Sequence, residues 1–251
     1  MSDFNRGYPR PAAAGAADMA VDAGLRAFML GIYNKVALGL VLSAALAYVT
    51  GAYEPVRSLL FQQVETTRGL QLQPTLLGLI ITFAPIGVLL FGQFAVRQSP
   101  RSSGVVYWTV VSLIGASLGY LGFVYTGASI FMTFLITAAA FGGLSLVGYT
   151  TKKDLTAFGS FLIVGLIGLI IASIVNIFVP SSALYFAINV LGVLIFAGLT
   201  AYDTQRLKMT YYRLGGDQAA MGVATNYGAL SLYLDFLNLF MFLLRLTGSR
   251  R

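Results

Sequence analysis

Long apolar runs separated by short polar segments dominate the chain. A membrane-spanning helix needs about 20 mostly apolar residues, and continuous apolar runs favour such helices over the alternating pattern of a transmembrane β-barrel. The pattern therefore predicts an all-α polytopic membrane protein with seven transmembrane helices. The predicted spans cover residues 33–50, 75–96, 105–126, 129–149, 158–179, 183–202 and 227–246.

The first residues have a different pattern. Residues 1–22 are rich in Ala, Gly and Pro and contain no long apolar run, which is typical of a flexible tail. They do not form a signal peptide, because Asp18 interrupts the small residues that follow Arg10. We therefore expect a flexible N-terminal tail over residues 1–22 and a seven-helix transmembrane domain over residues 23–251.

Composition supports a membrane protein and excludes several kinds of chemistry. Hydrophobic residues make up 57% of the chain and charged residues only 10%, whereas soluble domains carry about 25% charged residues. The chain has no Cys and no His, which excludes disulfides, thiolate nucleophiles, Cys-ligated metal and Ser-His catalysis. We expect no cofactor, and an enzymatic activity is not the favoured interpretation.

The net charge of +7 is explained by membrane topology rather than by a nucleic-acid partner. The tail and three alternate loops hold eleven of the 16 Lys and Arg residues, and the other side holds five. Lys and Arg are enriched on the cytoplasmic side of membrane proteins. We therefore expect an inner-membrane protein with a cytoplasmic N-terminus and a C-terminus outside, as an odd number of spans requires.

Two glycines on the third predicted span lie four residues apart. Gly115 and Gly119 form a small-xxx-small pair, a pattern that lets membrane helices approach closely. Packing within one bundle is the favoured interpretation, and a dimer face is the alternative.

Two aspartates are the candidate chemical groups. Asp235 lies inside the last predicted span, and Asp203 closes the span before it. Ionisable groups within membrane spans are costly and usually face the interior of the bundle. Because the two helices are consecutive and antiparallel, the two carboxylates could meet, and a pair in a low-dielectric site would share a proton.

Simpler interpretations stay open for both residues. Asp203 could be a helix end that is solvated or forms a salt bridge with Arg206 or Lys208, and Asp235 could make a satisfied structural contact. Asn238 lies three residues after Asp235, on the same stripe of the helix. This polar stripe suggests that the last helix lines a cavity or an ion pathway, with Asn238 as a lining residue.

Three segments resemble the bacterial branch of the Bax inhibitor-1 family, also called the transmembrane Bax inhibitor motif family. They are residues 148–155 (GYTTKKDL), 202–205 (YDTQ) and 231–240 (SLYLDFLNLF), in that order. The resemblance covers about residues 22–248. It implies a fold in which the last helix is central and surrounded by the other six.

The resemblance also implies a function. Family members are described as calcium-leak channels, with a pH-sensitive aspartate pair that maps onto Asp203 and Asp235. Those aspartates would also be the weak, transient Ca²⁺ ligands. An arginine at the end of the second span contacts the pair in bacterial relatives, and Arg97 is the best match with Arg101 as the alternative. Some bacterial members interact with a membrane-anchored AAA protease of the FtsH type.

Three functions remain to be distinguished. The first is a calcium leak gated by protonation of the aspartate pair, since oxygen ligands suit Ca²⁺. The second is a non-conducting regulator that binds an FtsH-type protease through its flexible tail. The third is an intramembrane aspartyl protease, which the Tyr-Asp sequence at Tyr202 and Asp203 permits. Asp235, however, lacks the Gly-x-Gly-Asp motif of that class.

Overall fold

The computed structural model describes residues 13–66, 69–95 and 99–251, with side chains over 23–65, 72–92 and 99–251. Within these ranges, six helices are long and apolar enough to cross a membrane, and a seventh apolar helix is shorter. The chain is therefore an all-α, multi-pass membrane protein apart from one small hairpin. Its helices are α1 (Ala13–Ala52), α2 (Glu54–Leu60), α3 (Leu76–Ala95), α4 (Pro100–Ser117), α5 (Leu121–Val124), α6 (Gly127–Thr150), α7 (Thr156–Phe178), α8 (Ser182–Leu214) and α9 (Gln218–Thr247).

Each of the seven predicted spans corresponds to one apolar helix or, for 105–126, to α4, a 3-10 turn (Leu118–Tyr120) and α5. The shorter apolar helix is α3, which contains Pro85. Helix α1 begins within the predicted tail of residues 1–22, of which residues 1–12 lie outside the described part. The side chains of residues 13–22 also lie outside it.

The segment between α1 and α3 is more ordered than a simple loop. After α2, strands β1 (Phe61–Thr66) and β2 (Gly69–Pro74) pair antiparallel, with Phe61 opposite Pro74. Leucine and glutamine alternate along β2, which is the two-residue period of a strand. This hairpin corrects the purely helical prediction.

Helix α9 is the most buried of the long helices, with 61% of its most apolar stretch inside the bundle. It packs against α1, α4, α6 and α8. Helix α3 packs chiefly on α4, and α7 chiefly on α8, so both lie at the periphery. The last helix is therefore central, but its direct neighbours are mainly four of the other six.

Helix α7 shows which surface faces the lipid. Phe161 is 70% exposed and Phe178 is 79% exposed on this helix. Exposed apolar side chains of this size are costly in water and favourable in a bilayer. The outer face of α7 therefore faces the hydrocarbon, and its inner face packs on α8.

The predicted glycine pair packs inside the bundle, with Gly115 on α4 and Gly119 in the 3-10 turn that follows it. A Cβ at Gly115 would lie 2.6 Å from Ser43 Cα on α1. A Cβ at Gly119 would meet the end of α1 at Thr50 and Gly51. The close approach of α1 and α4 thus requires these two glycines, which confirms the favoured interpretation within one bundle.

Helix α8 is longer than the predicted span, which ended at residue 202. It continues to Leu214 and has 33 residues, about 50 Å at 1.5 Å per residue. Gly215 then ends it in the left-handed conformation, with φ of 56°. Asp217 caps α9 by accepting from the backbone N–H groups of Ala219 and Ala220. The polar stretch after Asp203 is therefore mostly helix rather than loop.

Candidate functional site: a buried aspartate pair

The two-glycine turn between α8 and α9 brings the predicted aspartates together. The helices run antiparallel and pack on each other along much of their length. Asp203 on α8 and Asp235 on α9 therefore meet in the bundle, and each is only 6% exposed. Their carboxyl groups are close enough to interact directly.

Asp203 is held by two polar partners. The hydroxyl of Ser231, one turn before Asp235 on α9, donates a hydrogen bond to Asp203 Oδ2. Arg206, one turn after Asp203 on α8, places Nη2 3.2 Å from Oδ1. The ion pair that the sequence left open for Asp203 is thus present, together with the pairing of the aspartates.

Asp235 has fewer partners. Its Oδ2 is buried and makes no hydrogen bond to any residue that the structure describes. Two negative charges this close in a low-dielectric site repel each other, and one shared proton removes the repulsion. A hydrogen bond between two carboxyl groups itself requires such a proton. The geometry therefore suits a pair that binds and releases one proton as a unit.

The pair faces a cavity of about 740 Å³ between four helices. Asn238 lies on its wall, as the polar stripe on the last helix predicted, and its amide donates to Leu234 O at 2.8 Å. Most of the remaining wall is apolar. It includes Ile86 and Leu89 from α3, Ile163, Leu166 and Ile170 from α7, Leu199 from α8, and Phe242 from α9.

The resemblance implied Arg97, or Arg101 as the alternative, as the counter-ion of the aspartates. Arg97 lies outside the described residues. Arg101 is exposed at the start of α4, and the ion pairs found in the described part of the chain do not include it. Arg206 is the cation that the structure pairs with Asp203. Its spacing of three residues on one helix was the sequence signal for this contact.

The two other motif segments contact each other beside the pair. Gln205 on α8 donates to Lys153 O at 2.7 Å, and its side-chain oxygen accepts from Leu155 N at 2.8 Å. Gly148 on α6 lies directly against the backbone of Ala201, so a Cβ there would clash. The GYTTKKDL segment and the YDTQ segment thus form one packed unit, which spacing along the sequence could not reveal.

The site does not resemble a resident metal centre. In the described part of the chain, no group of three or more Asp, Glu, His or Cys residues could hold a metal ion. Two carboxylates with an arginine beside them offer a cation few ligands, whereas Ca²⁺ takes six to eight oxygens in tight sites. Any Ca²⁺ at this pair would therefore be held weakly.

Comparisons with known proteins agree with this architecture. Residues 25–251 match the family model described as inhibitor of apoptosis-promoting Bax1. An uncharacterized protein of Caulobacter vibrioides is 63% identical over the full length of both chains. Uncharacterized protein RP147 of Rickettsia prowazekii is 44% identical over 92% of each chain. Inner membrane protein YbhL of Escherichia coli K12 is 40% identical over 91% of this chain and 94% of its own.

The family match covers nearly all of the described chain, from α1 through α9. It includes both aspartates and all three segments that carried the resemblance. The relatives match over at least nine-tenths of their own length, so the likeness extends over the whole bundle and not only over its motifs. The chain belongs to the Bax inhibitor-1 family of membrane proteins.

Proposed function

We propose that the protein is a pH-sensitive calcium-leak channel of the bacterial inner membrane, gated by protonation of Asp203 and Asp235. The name of the Escherichia coli relative, an inner membrane protein, supports this location. Helix α3 serves as the seventh span, with the N-terminus in the cytoplasm and the C-terminus outside. The surplus of Lys and Arg on the N-terminal side supports this orientation.

The observation that carries the proposal is the aspartate pair in its cavity. Binding one proton changes the charge of the pair by one unit at a depth where little water screens it. The deprotonated pair attracts a divalent cation, and the protonated pair does so less. A site that binds Ca²⁺ weakly suits conduction, because an ion must leave as readily as it enters.

No cofactor is needed for this activity, and Ca²⁺ is the permeant ion rather than a bound component. Asn238 offers a further carbonyl oxygen on the same wall of the cavity. The two aspartates would be the transient ligands of Ca²⁺. The partners of the protein are then the lipid bilayer and Ca²⁺, with no catalytic turnover.

Calcium flux into liposomes tests the proposal. The purified protein is reconstituted, and flux is measured from roughly pH 5 to pH 8, the range that a buried carboxyl pair can reach. Asp203→Asn and Asp235→Asn are compared with Glu65→Gln, which removes an exposed carboxylate from the hairpin. We expect flux in the wild type and in Glu65→Gln, and a flattened pH profile in both aspartate variants.

Absence of flux at every pH in a folded wild type would contradict the channel. The next experiment would then measure association with an FtsH-type protease before and after deletion of residues 1–22. Cleavage of membrane-helix substrates by the wild type, lost in both Asp→Asn variants, would instead indicate an aspartyl protease. Because a proton-sharing pair serves both a channel and a protease, flux and cleavage must be measured separately.

A further inference from the structure

A second cavity, of about 670 Å³, lies beside the aspartate cavity at the end of α6 and the start of α7. Its wall is strongly basic, in contrast to the apolar wall of its neighbour. It carries one carboxylate, from Asp154, against five cationic side chains. These cations are Lys152, Lys153, Arg206, Lys208 and Arg213.

Hydrogen bonds fix the shape of this basic cavity. Gln205 holds the backbone of Lys153 and Leu155 against α8. Lys208 donates from Nζ to Tyr149 O at 3.0 Å, which directs its ammonium group to the same place. The position of the Lys208 ammonium group, and of the backbone from which the Lys153 side chain extends, therefore follows from the packing of α6 against α8.

The single carboxylate is already engaged. Asp154 Oδ1 accepts the backbone N–H of Thr156, the first residue of α7, at 2.8 Å. Hydrogen bonds from the side chain and backbone of Thr156 hold the pKa of the Asp154 carboxyl below its ordinary value. The positive end of the α7 dipole lies at the same place. One carboxylate balances only one of the five cationic charges, and Arg206 is also paired with Asp203, so the cavity keeps a net positive charge.

Arg206 belongs to both cavities. Its Nη2 contacts Asp203 Oδ1, and its side chain, which is 48% exposed, lines both cavities. The guanidinium group also stacks near the ring of Tyr202, 5.7 Å from its centroid, and Tyr202 lines both cavities as well. A ligand in the basic cavity can therefore reach the cation that pairs with Asp203.

We infer that the basic cavity binds a phosphate-bearing anion, which competes with Asp203 for Arg206. Phosphate oxygens match the paired N–H groups of a guanidinium and accept from lysine ammonium groups as well. The anion is either the headgroup of an anionic phospholipid or a free phosphate, since both present the same chemistry. Basic pockets between membrane helices bind anionic headgroups in this way.

The binding step stands on the cavity alone and does not depend on calcium conduction. Only the consequence for flux rests on the proposed function. When the anion draws Arg206 away, the aspartate pair loses its nearest cation and its ionised form is less stabilised. Anion binding at the basic cavity would thus change the proton affinity of the aspartate pair in the other cavity.

Lipid binding is the first measurement. The protein is placed in nanodiscs of phosphatidylcholine with and without phosphatidylglycerol, and native mass spectrometry counts the retained lipids. The double variant Lys152→Gln/Lys153→Gln and the single variant Arg213→Gln are compared with Arg250→Gln/Arg251→Gln. This control removes two charges, as the lysine double variant does, but from the C-terminus at the opposite end of the bundle. Titration with inorganic phosphate forms the second arm and tests whether a free phosphate binds.

We expect the removal of each basic side chain from the cavity to weaken the binding of phosphatidylglycerol or phosphate about fivefold. The control should bind as the wild type does. Binding of phosphatidylglycerol without inorganic phosphate assigns the lipid headgroup, and binding of both assigns a general phosphate site. If each probe binds the wild type, the cavity variants and the control with the same affinity, the inference is overturned. Because Lys152 and Lys153 are exposed, the double variant should fold.

The competition for Arg206 has its own readout. Infrared difference spectra record the carboxyl stretching bands before and after addition of the probe that was found to bind, phosphatidylglycerol or inorganic phosphate. We expect a change in the wild type that disappears in Asp203→Asn and in Lys152→Gln/Lys153→Gln. An unchanged carboxyl spectrum despite bound probe would refute the competition. Loss of calcium flux in all proteins, with these spectra intact, would instead refute only the proposed channel.

Discussion

Arg206 lies one turn after Asp203 on α8, and its Nη2 is 3.2 Å from Oδ1 of that carboxylate. The same guanidinium group donates to the hydroxyl oxygen of Ser231 at 3.2 Å, and that hydroxyl in turn donates to Asp203 Oδ2. Arg206 thus bridges α8 and α9. In the described part of the chain, it belongs to the only charged cluster within the apolar packing of these two helices. Its removal should change the behaviour of the aspartate pair more than the stability of the bundle.

Arg206→Gln should shift the pH dependence of calcium flux. A nearby cation favours the ionised form of a carboxyl pair, and its removal lets the pair keep its proton to a higher pH. We therefore expect the midpoint of the flux–pH profile to move up by about one pH unit. Arg250→Gln, which removes an exposed cation at the opposite end of the bundle, is the control and should leave the midpoint nearly unchanged. Equal midpoints in the wild type and Arg206→Gln would contradict the assigned counter-ion.

Gly148→Ala should destabilise the bundle, because its methyl group would meet the backbone of Ala201 on α8. Overpacking of this kind costs about 1–3 kcal/mol. For Gly142, on the same helix, no atom in the described part of the chain beyond its own stretch of helix lies within 4 Å of an added Cβ. Gly142→Ala is therefore the matched control, and it should be neutral or stabilising by up to about 1 kcal/mol. Reversible unfolding in mixed micelles measures both variants, and equal stabilities would show that α6 and α8 can move apart at no cost.

The sequence predicted the helices because lipid imposes a simple requirement on them. Each span needs a long apolar run, and such runs are visible without knowledge of the partners. The hairpin was missed because β1 and β2 lie outside that requirement, although leucine alternates with glutamine at Leu70 and Leu72. The length of α8 was missed because the predicted span followed the apolar run, which ends before Asp203, although no Gly or Pro interrupts the helix before Gly215.

The aspartate pair was predictable in part, because Asp203 and Asp235 are conspicuous in otherwise apolar helices. The contacts around them were less so. Arg206 competes with several other cations for the role of counter-ion until the faces of α8 are known. The bonds of Gln205 to Lys153 and Leu155 join residues about 50 positions apart. Contacts between such distant positions depend on the packing of three helices, which one sequence does not specify.

Gln205→Ala should loosen the loop between α6 and α7. The substitution removes the hydrogen bonds to Lys153 O and Leu155 N, each worth about 1 kcal/mol. We expect the amide of Leu155 to exchange hydrogen about tenfold faster or more, as local opening becomes easier. Hydrogen exchange followed by mass spectrometry measures it, with the exposed Gln218→Ala as a matched truncation. Unchanged exchange at Leu155 would mean that the loop is held by other contacts.

Ser43 and Tyr233 form a polar link between α1 and the central helix. Their hydroxyl oxygens are 2.6 Å apart, and Ser43 also donates to Val111 O on α4 at 3.2 Å. Both side chains are buried, so loss of either hydroxyl leaves the other with a poorer partner. The pair should therefore be energetically coupled.

A double-mutant cycle with Ser43→Ala and Tyr233→Phe measures this coupling. Each single change should cost about 1 kcal/mol of unfolding free energy in micelles. The double change should cost less than the sum, by about 0.6 kcal/mol, the average coupling for hydrogen bonds between membrane helices. Ser43→Ala combined with Thr137→Val is the control cycle, because the Thr137 hydroxyl bonds within its own helix to Thr133 O at 2.7 Å. The control should be additive, and an additive Ser43–Tyr233 cycle would show that the contact does not stabilise the bundle.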